Sequence, residues 1–182
     1  YLRPLMIARS NDYSNRPHCL GSKLLHKVMM DQIFDVFEMY PNKPKFSFLF
    51  HNDYSHDGYA ELKNADTDLL QFLISLHEGK HLDNTLLILM SYHGARFQAV
   101  RGTAQGKFEE RLPFVSIRVP PWFKEKYPKA AHNLLVNTNR LTSPFDLHET
   151  LLDMVHFDGD GLGDNRKRGI SLFKEIPVDR KC

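Results

Sequence analysis

Two hydrophobic periods run along the chain, and the switches between them predict its elements. From Ser22 to Met39, Leu24, Leu25, Val28, Met29, Ile33, Phe34 and Phe37 recur at helical spacing, with Ser22 as N-cap and Pro41 past the end. The run Phe46-Ser47-Phe48-Leu49-Phe50 predicts a buried strand that ends in the polar loop His51–Gly58. A second helix is predicted over Ala60 to Glu78, with Gly79 as its breaker, and then five apolar residues, Leu86 to Met90, lead into Ser91-Tyr92-His93-Gly94. This run, bounded by Asp83-Asn84 and Gly94, reads as a strand buried on both faces. Residues 95–111 read as a long polar connection, and Pro113 to Val119 as a further strand stopped by Pro120-Pro121. Helices follow at Trp122–Tyr127, Pro128–Asn137 and Ser143–His156, the last with Pro144 in its first turn. The order helix, strand, helix, strand predicts an α/β fold with a mostly parallel sheet, whose reactive groups gather past the carboxyl ends of the strands.

Composition narrows the setting. With 182 residues, 42% of them apolar, one core and one domain are expected over 1–182. A net charge of +2 argues against a dedicated nucleic-acid or membrane-surface binder. No apolar run reaches the ~20 residues that cross a bilayer. The chain opens at Tyr1 rather than Met, which reads as a fragment or a processed product. Cys19 and Cys182 lie near the two ends, and their spacing leaves disulfide and free thiol equally open.

Candidate chemistry concentrates after the first two predicted strands. His51, Asp53, His56 and Asp57 follow one and His93 the next, so a parallel sheet would deliver them to one crevice. Imidazole with carboxylate suits zinc or another divalent ion, and a hydrogen-bonded polar rim suits the same residues equally well. His18, His26, His77, His81, His132 and His156 read as surface or partly buried side chains, and His148 as structural. The aspartates of 158–164 imitate a calcium loop, but position five is Leu162 and position twelve Gly169, so the pattern fails. Motifs of serine hydrolases, P-loop ATPases and zinc fingers are missing from the sequence.

Several segments nevertheless resemble known ones in order. Met90-Ser91-Tyr92-His93-Gly94 is similar to the Ser-Asp-His-Gly element of the alkaline-phosphatase and sulfatase superfamily. Gly106–Pro113, Asp146–Asp153 and Gly169–Phe173 resemble that superfamily's glycine-lysine segment, the helix after it and its late Gly-x-Ser-Leu element. More narrowly, Ser55-His56-Asp57, His93–Phe97 and Thr142–His148 resemble DUF229, a family of secreted or membrane-tethered animal proteins with a sulfatase-like core.

The resemblance implies an alkaline-phosphatase-like three-layer sandwich with a mostly parallel central sheet, incomplete at its N-terminal side. It also implies ancestry among sulfate- or phosphate-ester hydrolases that use divalent metal, zinc or calcium, with two ions about 4 Å apart clamping an in-line displacement. His93 would be a metal ligand, His56 a metal ligand or a contact to the substrate anion, and Lys107 and Arg96 contacts to that anion. Arg111 is expected to be structural, pairing Glu109 or a strand-edge carbonyl. Tyr92 stands where the superfamily has a ligating aspartate, and its ring would displace one ion from a compact two-metal site. The nucleophile is expected upstream, so none is assigned here and no catalysis is expected of this chain alone. The rival expectation is a non-catalytic extracellular module that binds sulfated or phosphorylated glycans through Lys107, Arg96 and Arg101.

Overall fold

The computed structural model describes residues 3, 4, 6, 7, 18–56, 58, 60–97, 99–159, 161 and 168–181. Over these residues the chain is mixed α/β, with six α-helices and two small antiparallel sheets. It forms two compact units, Tyr1–His81 with His93–Pro113, and Leu82–Tyr92 with Phe114–Cys182.

In the first unit, strands β1 (Cys19–Leu20) and β2 (Lys23–Leu24) make a hairpin that runs straight into helix α1 (Leu25–Met39). Ser22 therefore lies in the hairpin turn and does not cap the helix, whose N-cap is Leu24. Leu25, His26 and Met30 form the buried face of α1. Helix α2 (Lys63–Glu78) ends on Gly79 as predicted, while the left-handed residue that turns the chain is Lys80, with φ 59°. His81 then returns to α1: its ring meets Phe34 edge-on at 5.0 Å, and Nε2 lies 3.1 Å from Glu38. It is thus a packed side chain of this unit.

Two predicted segments differ. Residues 46–50 belong to neither helix nor strand, and Phe46 and Phe48 are 80% and 75% exposed, so no buried strand forms there. Strand propensity on its own does not hold an extended segment; it needs a ladder partner, and the described residues supply none here. Conversely, the polar stretch 95–111 folds into a 3₁₀ turn (Ala99–Gly102) and helix α3 (Ala104–Arg111). Thr103 caps α3, its Oγ1 accepting the Gly106 N–H at 2.9 Å.

The second unit holds strands β3 (Leu87–Met90) and β4 (Val115–Arg118), which pair Leu87 with Arg118 and Met90 with Val115. The pairing is antiparallel, and both sheets among the described residues are of this kind, so the expected mostly parallel sheet is not seen there. An apolar run carries no direction; here Ser91 and Phe114 exchange bonds, Ser91 N–H to Phe114 O at 2.9 Å and Phe114 N–H to Ser91 Oγ at 3.0 Å, and these fix the strands head to tail. β3 is also only partly buried, Met90 being 41% exposed.

Helices α4 (Phe123–Lys126), α5 (Pro128–Asn137) and α6 (Pro144–Val155) follow close to their predicted bounds. Phe123, Ala130 and Phe173 form one core cluster, to which Leu86, Tyr127 and Phe157 add, and Ile170, Leu172 and Ile176 form another with Ile117. Burying a ring such as Phe173, 1% exposed, is worth about 1.5–3 kcal/mol.

Residues 170–176 pass through this core in neither a helix nor a strand, so side chains supply their backbone partners. On α6, Asp146 accepts from Ile170 N–H at 2.8 Å and Thr150 Oγ1 accepts from Leu172 N–H at 2.8 Å. On α5, Asn133 donates to Phe173 O at 2.8 Å. Asn137 donates to Leu172 O and Lys174 O and accepts from Ile176 N–H. Asp146 also receives Ser143 N–H at 2.7 Å, closing the first turn of α6, and Arg180 Nη1 at 2.8 Å.

Candidate functional site

The loop 51–56, singled out for chemistry, does enter a polar cluster, though with unexpected partners. Tyr54 is 4% exposed, and its hydroxyl lies 3.3 Å from Nδ1 of His26, itself 2% exposed on the first turn of α1. The other nitrogen of His26, Nε2, is 2.8 Å from Asp68 Oδ2 on α2, and Asp68 Oδ1 takes Lys27 Nζ at 2.8 Å. An ionised carboxylate only accepts, so the Nε2 that meets Asp68 carries a hydrogen. His51 joins with its ring 5.9 Å from His26 and 5.3 Å from Tyr54, and the His18 ring lies tilted against Tyr54 at 4.7 Å. Nδ1 of His18 is 3.8 Å from Asp53, and Nε2 is 3.6 Å from Glu61.

Electrostatics follow from these contacts. Hydrogen bonds from Lys27 and then His26 hold the Asp68 carboxyl below the usual carboxylate range, and the bond to Asp68 raises Lys27 in return. Burial, with Cys19 and Asp53 nearby, pushes the Tyr54 phenol up and keeps it a donor. A depressed carboxylate stabilises the fold above the ordinary aspartate value, about 3.9, and that contribution is lost as pH falls through the lower folded value. Urea unfolding should therefore show the chain losing stability between pH 5 and pH 2 more steeply than Asp68→Asn does. Equal slopes for the two proteins would contradict the assignment.

The residues implicated by resemblance are placed differently. His56 is exposed, its ring 5.7 Å from Phe97, and the Arg96 guanidinium also sits over Phe97 at 5.7 Å. His93 is half-buried, with Nδ1 2.7 Å from Gly94 O. Gly94 N–H donates to Glu110 O at 3.1 Å, and a Cβ at Gly94 would overlap the Glu109 carbonyl, so only glycine lets this turn seat on α3. Lys107 is exposed on the same helix. Gly106 beside it packs against the Val100 carbonyl with no room for a Cβ. The structure thus brings the His93 turn and the Lys107 helix together through backbone, and His56 and Arg96 through one aromatic ring.

Arg111 donates to Lys107 O of its own helix at 3.1 Å, rather than to Glu109 or a strand edge. Arg101 lies 3.5 Å from Glu110. Tyr92 is 51% exposed and belongs to the second unit. Asp57 and Cys182 lie outside the described residues.

Among the described residues no three His, Cys, Asp or Glu side chains are grouped to hold an ion. No helix among the described residues is long and apolar enough to cross a membrane.

His18 and His26 were not legible as members of this cluster. The pairing of His26 with Asp68 spans 42 positions, and no local spacing announces it. No curated protein and no solved structure matches the chain. The model of DUF229, described as a protein of unknown function, matches residues 1–182, and the chain belongs to that family.

Proposed function

We propose that this chain is a sulfatase- or phosphatase-like domain of a secreted or membrane-tethered protein, descended from metal-dependent ester hydrolases and no longer holding their metal. The observation that carries the reading is the seating of the His93–Gly94 turn on α3, which leaves Lys107 exposed one turn before the Glu110 contact. A glycine forced by close backbone approach and a lysine on the helix that receives it is an arrangement suited to an anionic ester. The proposed complete fold is the alkaline-phosphatase-like sandwich with a mostly parallel central sheet.

Tyr92 accounts for the loss of metal. In the full-length protein carrying this chain, aryl sulfate and aryl phosphate should not be hydrolysed with zinc, calcium or manganese. Tyr92→Asp should restore turnover. Turnover with Tyr92 in place would overturn the degraded-site reading.

A second reading, a non-catalytic module for anionic glycans, is supported by the exposure of Lys107, Arg96 and Arg101 in the first unit. Anion binding without metal, together with an inert Tyr92→Asp variant, would decide for it.

A further inference from the structure

We propose that Trp122, Glu125 and Lys126 form a binding platform for an anionic sugar. The site is separate from the residues considered above, and it does not depend on hydrolytic ancestry. Trp122 is the chain's one tryptophan and is 41% exposed. Its orientation is fixed. Nε1 donates to Asn84 Oδ1 at 3.2 Å, and the ring lies 6.1 Å from Phe123, which is 5% exposed, and 6.4 Å from Tyr127. One edge of the indole is thereby tied to the core of the second unit while another part stays open.

The open part borders a shallow cavity of about 520 Å³ lined by Trp122, Glu125 and Lys126. Lys126 Nζ stands 5.7 Å from the indole and 5.1 Å from the Tyr127 ring, so its charge is held over two aromatic faces. These three groups offer complementary chemistry. An indole takes the apolar C–H face of a pyranose, the Glu125 carboxylate accepts from hydroxyls, and the Lys126 ammonium pairs with a sulfate, phosphate or carboxylate substituent.

Lys124 and Lys129 lie on either side in sequence, so the stretch 124–129 carries three lysines against one glutamate and favours an anion. Glu125 disfavours the other anionic partners. Its carboxylate has no donor to meet on a phosphodiester backbone, and a planar anionic bilayer would both repel it and leave the concavity unfilled.

The single tryptophan makes the test direct. A heparin oligosaccharide, its desulfated counterpart, a single-stranded DNA oligomer and phosphatidylserine vesicles are each titrated into the 182-residue chain while Trp122 fluorescence is followed. Binding is measured in parallel by calorimetry. The sulfated oligosaccharide should change the emission saturably and bind more tightly than the other three. Trp122→Ala should weaken that binding on the order of tenfold, the loss expected of one aromatic stacking contact. Lys126→Gln should reduce the preference for the sulfated over the desulfated sugar, and Trp122→Phe should retain most of the binding. Circular dichroism of each variant identifies any that fail to fold, in which case Lys126→Gln, a surface change, carries the decision. An unchanged emission, sugar binding untouched by Lys126→Gln, or tighter binding of DNA or vesicles would overturn the proposal.

Discussion

Replacing Asp146 by alanine should destabilise the second unit by about 3–5 kcal/mol, the range seen when one partner of a buried ion pair is removed. Asp146 is fully buried, so solvent screens its contacts only weakly. Its carboxylate receives the Ser143 N–H and hydroxyl, the Ile170 N–H and the Arg180 guanidinium. Alanine leaves the Arg180 charge with its side chain only 17% exposed and strands the Ile170 donor. It also opens the first turn of α6, where a negative group favours the helix. A urea midpoint within 0.5 M of the unsubstituted chain would contradict this account. The double variant Asp146→Ala with Arg180→Met should recover part of the loss, because it no longer leaves a charge unpaired.

Asn137→Ala should cost about 2–4 kcal/mol, since it leaves several buried backbone groups without partners at once. Its amide serves Leu172 O, Lys174 O and Ile176 N–H, at 3.0, 2.8 and 2.9 Å. The residue is 5% exposed, so water cannot readily replace it. Hydrogen exchange reads the effect at a known atom. The Ile176 amide should lose its protection before the amides within α5. Unchanged exchange at Ile176 would show that Asn137 is not what holds the segment.

Helices α5 and α6 were legible almost to the residue, because Pro128 and Pro144 mark first turns and the apolar residues repeat at the helical period. Sheet direction was not. The apolar run at 86–90 says that a strand forms, but a run without alternation does not say which way its neighbour points. The segment 46–50 reads as a strand because phenylalanine suits a pleated surface, a local preference that cannot provide the neighbour it needs. Buried polar residues were the larger omission. Asp146, Thr150 and Asp153 fall at i, i+4 and i+7 on α6 and all face inward, while reading by hydropathy assigns them to solvent. Their helical spacing on one side was the available signal.

In the candidate site, the polar character of loop 51–56 was legible in its density of ligand-type side chains. The identity of its partners depended on α1 and α2 bringing His26 and Asp68 together, which is tertiary information.

The side-chain clasp on residues 170–176 has a consequence for the frame of the chain. A strand in a sheet that slips by two residues meets an equivalent ladder and keeps its faces. Here the peptide groups of Ile170, Leu172, Phe173 and Ile176 each meet a different side chain, on two different helices. A shift of any length mismatches them all. Deleting one residue between Ser171 and Ile176 should therefore be far more damaging than changing Lys174 or Glu175, which are both exposed. Where this segment is concerned, length is under tighter constraint than composition.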